Sequence, residues 1–346
     1  MKKFTITLLA LAILAATGTY IYAKVKNTYA YDTKICTDKN DAKNTCLSTF
    51  YKGLVKKYGI PTAISDLKKR AGENATVSAQ CHPLAHAIGQ AASEQFKDVS
   101  SAYMQGDPYC WSGYYHGVIE GIAERIGADN LPKELNTICA NIPDRAKYGF
   151  DYYNCVHGLG HGIMELKGDD VFTSLGICDN LTGAWEKQSC QGGVFMENVM
   201  LYERYGTSEY LKPSDPLYPC TAVKEEYKYQ CYLGQTSFAL KAAGYNFKTV
   251  SDLCATVKGT YRDICNQSLG RDAANQARHD ASTTKNTCYI PTDPNDRNNC
   301  ITGAVKEFIS FYHSDKESNE FCAILNEENK SLCASTGANY YQLFTK

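Results

Sequence analysis

Beyond its first two dozen residues the chain spaces its apolar side chains in threes and fours. In the stretch from Ala304 to Tyr312 the apolar residues fall at helical intervals, and comparable stretches recur down the chain. Alternation of period two, the mark of a half-buried strand, is scarce. The pattern predicts an all-α fold. The opening is different: after Met1-Lys2-Lys3, residues 4–23 carry no charge and are mostly apolar, which predicts a signal peptide or a membrane anchor. No clear small-x-small cleavage site follows, which favours an anchor, and cytoplasmic lysines at its start would place the rest of the chain outside. The expected organisation is a leader over 1–23, a linker over 24–34, a half rich in His and Glu over 35–205, and a Cys-paired repeat half over 206–346.

Cysteine spacing adds the architecture. All sixteen cysteines lie beyond the leader, and an even number in an exported chain reads as a disulfide framework. In chain order they fall into neighbouring pairs: Cys36 with Cys46, Cys139 with Cys155, Cys178 with Cys190, Cys220 with Cys231, Cys254 with Cys265, Cys288 with Cys300, and Cys322 with Cys333. Cys81 and Cys110 form the one widely spaced pair, and a labile redox couple is an alternative for them. No C-x-x-C or C-x-x-C-H spacing is present, so zinc ribbons and c-type haem attachment lack their motif. The second cysteines recur at steps of 33 to 45 residues, the length of a helix-turn-helix unit. Tandem disulfide-linked helical hairpins follow, either solenoid-like or gathered into a compact array. The C-x-x-G steps at Cys155, Cys190, Cys231 and Cys300, with the paired cysteines and the repeat length, resemble the cysteine-rich Sel1-like branch of tetratricopeptide-type repeat proteins. That resemblance implies a curved stack of hairpins with a binding surface.

Charge narrows the partners. Thirty-six basic against thirty-seven acidic residues, with no basic run after the leader, argue against nucleic acid. The membrane enters only through the amino-terminal segment if it is uncleaved. A small-molecule or protein partner is left open.

The candidate chemistry sits in the first half. Five of the seven histidines, His82, His86, His116, His157 and His161, fall within eighty residues. Counted from the cysteines Cys110 and Cys155, His116 matches His161, and Glu120 matches Glu165; Glu197 follows Cys190 in an otherwise apolar run. Residues four apart share a helix face, so His82 with His86, His116 with Glu120, and His157 with His161 can each chelate an ion or share a proton. Later repeats carry Ser237, Arg271, Lys306 and Asn339 where His116 and His161 stand. The repeat therefore does not itself demand histidine. Glycines at 117, 121, 158, 160, 162, 192 and 193 crowd the same segments. A helical glycine costs about 1 kcal/mol relative to alanine, a loss usually offset by close backbone packing.

These residues predict a transition-metal site of zinc, copper, iron or nickel, mononuclear or dinuclear, with the five histidines as ligands. Glu120, Glu165 and Glu197 are the candidate ligands or catalytic proton carriers, and an ion with an open position would give a hydrolase or an oxidoreductase. Two other readings stay open: metal-free acid-base chemistry, and a repeat scaffold that binds a protein or peptide and uses the cluster as a buried polar network. Tyr114 and Tyr115, beside His116, can pack between helices or line a pocket. His279 and His313 read as packing or surface residues. The expected location is extracytoplasmic.

Overall fold

The computed structural model describes Cys36 and residues 45–345, apart from Lys97, Asp144 and Thr207. The predicted leader and linker lie outside these residues. Helices α1 (Thr45–Tyr58), α2 (Ile60–Glu73), α3 (Ala75–Ala79) and α4 (Cys81–Ser93) come first. Next are α5 (Val99–Tyr103), α6 (Gly113–Ile126), α7 (Leu131–Ile138), α8 (Phe150–Leu166), α9 (Val171–Cys178) and α10 (Ala184–Tyr205). Helices α11 (Glu225–Ala242), α12 (Phe247–Thr256), α13 (Thr260–Gln276), α14 (Ala281–Cys288), α15 (Pro294–Tyr312), α16 (Lys316–Ala323) and α17 (Glu327–Thr345) complete the fold. No strand occurs among the described residues, in agreement with the all-α expectation, and none of their helices is long and apolar enough to cross a membrane.

The long helices form a row in which each packs on the next: α1 on α4, then α6, α8, α10, α11, α13, α15 and α17. Shorter helices brace the flank, with α9 against α8 and α10, and α14 against α13 and α15. Asp170 and Asp280 cap α9 and α14 by accepting from the amides of Thr173 and Thr283, satisfying N–H groups that a helix start leaves open. The row curls back on itself. Trp111, just before α6, donates its indole N–H to Glu307 on α15 at 3.0 Å and packs its ring on Phe311. Phe150 at the start of α8 meets His313 just beyond α15. The main apolar core runs from Leu47 to Cys265, through Leu201, Leu217 and Cys220, and a smaller one lies between Ala274 and Cys333.

All eight expected cysteine pairs are disulfides, Cys81–Cys110 included. Most join the end of a short helix to the start of the long helix after it, as Cys254–Cys265 joins α12 to α13 at a Cα separation of 5.5 Å. So many disulfides suggest an oxidising environment. Each closes a short loop and stabilises through the unfolded chain. We expect a Cys254→Ala, Cys265→Ala protein to lose about 2–4 kcal/mol in urea denaturation under non-reducing conditions; an unchanged midpoint and slope would contradict this.

Three helix pairs approach so closely that only glycine fits at the crossing. A methyl at Gly117 would overlap the His86 carbonyl oxygen, and one at Gly89 that of Tyr114, so α4 and α6 lock reciprocally. Gly160 and Gly193 lock α8 to α10 against the carbonyls of Cys190 and His157. Gly270 and Gly303 do the same for α13 and α15 against Cys300 and Gln267. The second and third pairs are copies at one constant offset in sequence, which also relates Asp170 to Asp280 and the cross-helix bridge Tyr152–Glu186 to Arg262–Asp296.

Candidate metal centre

The glycine locks set the register of the site. Because Gly117 sits against the His86 backbone and Gly193 against that of His157, the side chains just after each crossing meet their partners on the neighbouring helix. His82 and His86 come from α4, His116 and Glu120 from α6, His157 and His161 from α8, and Glu197 from α10. All seven are buried, His161 completely.

The five imidazoles form one cluster around His116. Its ring centroid lies 5.4 Å from His82, 5.5 Å from His86, 5.0 Å from His157 and 4.8 Å from His161. Three groups bring their ligand atoms within 4.8 Å of one another: His82, His86 and His116; His116, His157 and His161; and His86, Glu120 and His161. Each can hold a metal ion.

Hydrogen bonds determine which nitrogen each ring offers. His82 Nδ1–H donates to the Cys110 carbonyl at 2.7 Å. His86 Nδ1–H donates to Glu120 Oε1 at 2.7 Å, and Gln90 occupies the other carboxylate oxygen at 2.9 Å. His161 Nδ1–H donates to Glu197 Oε2 at 2.7 Å. In these three rings Nδ1 is spent on an acceptor and Nε2 is the nitrogen left to face the cluster. The Nε2 atoms of His82 and His86 face each other at 3.0 Å. His161 Nε2 and both nitrogens of His116 are buried without a hydrogen-bond partner. His157 Nδ1 meets the Tyr153 hydroxyl at 3.3 Å, and its Nε2 lies 3.4 Å from the Met196 sulfur.

Burial is the main force on these groups. It holds His82, His116 and His157 well below the ordinary imidazole value, and the neighbouring rings add to the depression. Burial also pushes Glu120 up, but the contact with His86 prevails and leaves its carboxyl below the usual range. An unfolded chain binds protons at these three histidines below about pH 6.5, whereas in the folded chain the same three resist them. The metal-free protein is therefore expected to lose stability progressively as the pH falls below that value. Denaturation at pH 7.5 and 5.5 tests this, and a cluster that charges freely when folded would show no such loss.

The structure gathers seven of the eight predicted residues. The eighth, Glu165, is exposed in the last turn of α8 and is not brought to the cluster. Its helical neighbour His161 takes its carboxylate from Glu197 on the next helix instead. The spacing of His116 and Glu120 misleads in the same way, for Glu120 serves His86 across the α4–α6 crossing. Tyr114 and Tyr115 turn into the core towards α5, where the Tyr114 hydroxyl donates to the Ala102 carbonyl and Tyr115 packs on Tyr103. His279 stacks on Phe311. Spacing gave no sign of Gln90, Tyr153 or Met196.

The glycine frame shows what the histidines add. Equivalent positions on the three locked pairs hold His86 against Glu120, His157 against Met196, and Gln267 against Lys306, which donates to the Gln267 side-chain oxygen at 2.9 Å. The third pair packs the same way with no imidazole at that contact, so the architecture does not require the histidines. In comparisons with known proteins the chain matches no family model, no curated protein and no solved structure.

Proposed function

We propose that this chain is an exported metal-binding protein whose buried imidazole cluster holds a transition metal. The observation that carries the reading is the facing pair of Nε2 atoms on His82 and His86. With both Nδ1 protons donated elsewhere, the two Nε2 atoms meet at 3.0 Å, a separation that a proton shared between the rings or a cation bound by both can hold. Burial opposes the proton on His82. Two nitrogens about 2.1 Å from one ion, at angles of about 90–110°, stand about 3.0–3.4 Å apart.

Carbonyl and carboxylate partners that fix a ring through Nδ1 and aim Nε2 inward are the usual outer support of histidine-bound metals. Nitrogen donors suit zinc, copper, iron or nickel better than calcium or magnesium, and the Met196 thioether beside His157 moves the choice towards copper. Glu120 and Glu197 act here by orienting His86 and His161, so neither is a catalytic residue in this reading. With both carboxylates so engaged and the rings buried, electron transfer or metal storage fits the site better than hydrolysis.

The test is metal analysis of protein produced without a histidine tag and then exposed to copper and zinc. Stoichiometric metal is expected, with the content lowered by one ion per chain in a His82→Ala, His86→Ala protein whose helical circular dichroism is unchanged. Folded wild-type protein that takes up neither metal would sink the proposal and leave the cluster as a polar network within a scaffold for a protein or peptide partner.

A further inference from the structure

The centre has two matching halves, and His116 stands between them. Helix α6 packs against α4 on one side and α8 on the other. Each flanking helix contributes a pair of histidines four residues apart, His82 with His86 and His157 with His161. In each pair one ring is anchored through Nδ1 by a glutamate from the following long helix, His86 by Glu120 and His161 by Glu197. His116 belongs to both three-histidine groups, and it is the ring whose two nitrogens are both buried without a hydrogen-bond partner. An imidazole carries its nitrogens on separate edges, so a single ring can serve one ion on each side.

Resting on the metal-binding reading above, we infer that the cluster is a two-ion centre in which the imidazolate of His116 bridges an ion held by His82 and His86 to a second held by His157 and His161. Binding displaces the remaining ring proton of His116 to solvent, and each nitrogen then gives its lone pair to one ion. The imidazolate and the carboxylates of Glu120 and Glu197 offset most of the charge of two divalent ions. At about 2.1 Å per metal–nitrogen bond, ions on opposite edges of one ring lie about 6 Å apart. The halves differ in readiness. The Nε2 atoms of His82 and His86 already converge, whereas His161 lies nearly parallel to His116, at an interplanar angle of 19°, and must turn to share an ion with it. The α4 half therefore fills first.

Titration of the metal-free, untagged protein with copper(II), followed by electron paramagnetic resonance, tests the bridge. The signal should grow up to one ion per chain and then fall as the second enters, because an imidazolate couples the two spins. In a His116→Ala protein the signal should only grow. Saturation at one ion per chain, or two ions in wild-type protein with undiminished signal, overturns the bridge and leaves metal binding standing. No uptake at all removes both. The wild-type titration decides the matter even if the His116→Ala protein does not fold.

Discussion

Alanine at Gly117 or Gly193 will destabilise the protein by about 1–3 kcal/mol and weaken metal uptake, whereas alanine at Gly234 will be neutral or stabilising by up to about 1 kcal/mol. In an exposed helix, replacing glycine by alanine helps because the unfolded backbone has less freedom to lose. Gly234 is half-buried but leaves room for the methyl, with nothing within 4 Å of where its Cβ would lie. At Gly117 and Gly193 the added methyl overlaps the carbonyl oxygens of His86 and His157, backbone atoms that cannot swing aside. The helices must part or shift, and the penalty exceeds the gain in helix propensity. Metal uptake weakens with it, since these crossings bring His86 to Glu120 and His157 to Met196. Gly303→Ala supplies the control: it breaks the equivalent lock between α13 and α15 against Gln267 and should lower stability by a similar amount without touching the histidine cluster. Urea denaturation and metal analysis of the four variants separate the effects. Similar stability in all four would refute the steric account.

How much of this was legible in the sequence follows the range of the interactions. Cysteine pairing could be read because most partners lie 10 to 16 residues apart and close one helical turn region each, so order along the chain is order in space. Helical periodicity is equally local. The five histidines could be chosen because they cluster in sequence and disappear from the later repeats. Their partners could not be chosen well, because spacing by four finds neighbours on one helix while these contacts cross between helices. His86 and Glu120 are 34 positions apart, and His161 and Glu197 are 36 apart. Counting from the cysteines placed Glu120 and Glu165 in the same class, yet one is buried at a crossing and the other emerges where α8 ends. Counting from the glycine locks aligns His86 with His157 and Glu120 with Met196, which would have drawn attention to Met196. That alignment needs the crossings to be known, since the repeat it expresses joins two hairpins and its side chains differ from copy to copy.

Alanine at Glu120 or at Glu197 will weaken metal binding by about 10–100-fold, and alanine at Glu165 will leave it unchanged. Neither buried glutamate needs to touch the ion to have this effect. Each holds Nδ1 of one histidine at 2.7 Å, which keeps the proton on that nitrogen, raises the basicity of Nε2 and fixes the plane of the ring. Without the carboxylate, His86 or His161 is free to turn or to move its proton to Nε2, and binding must first restore the productive tautomer. Losing Glu120 also leaves the Gln90 amide without its acceptor, an added cost to the stability of that variant. Glutamine at either position keeps the shape and one acceptor oxygen but removes the charge, and its affinity should fall between wild type and alanine. Glu165 reports on a different idea, that each histidine is served by the carboxylate one turn further along its own helix. Competition with a chelator of known affinity ranks the variants. If Glu165→Ala weakens binding as much as Glu197→Ala does, the cross-helix assignment of carboxylates to imidazoles is wrong; if only the two buried positions respond, the glycine-locked crossings set the ligand geometry.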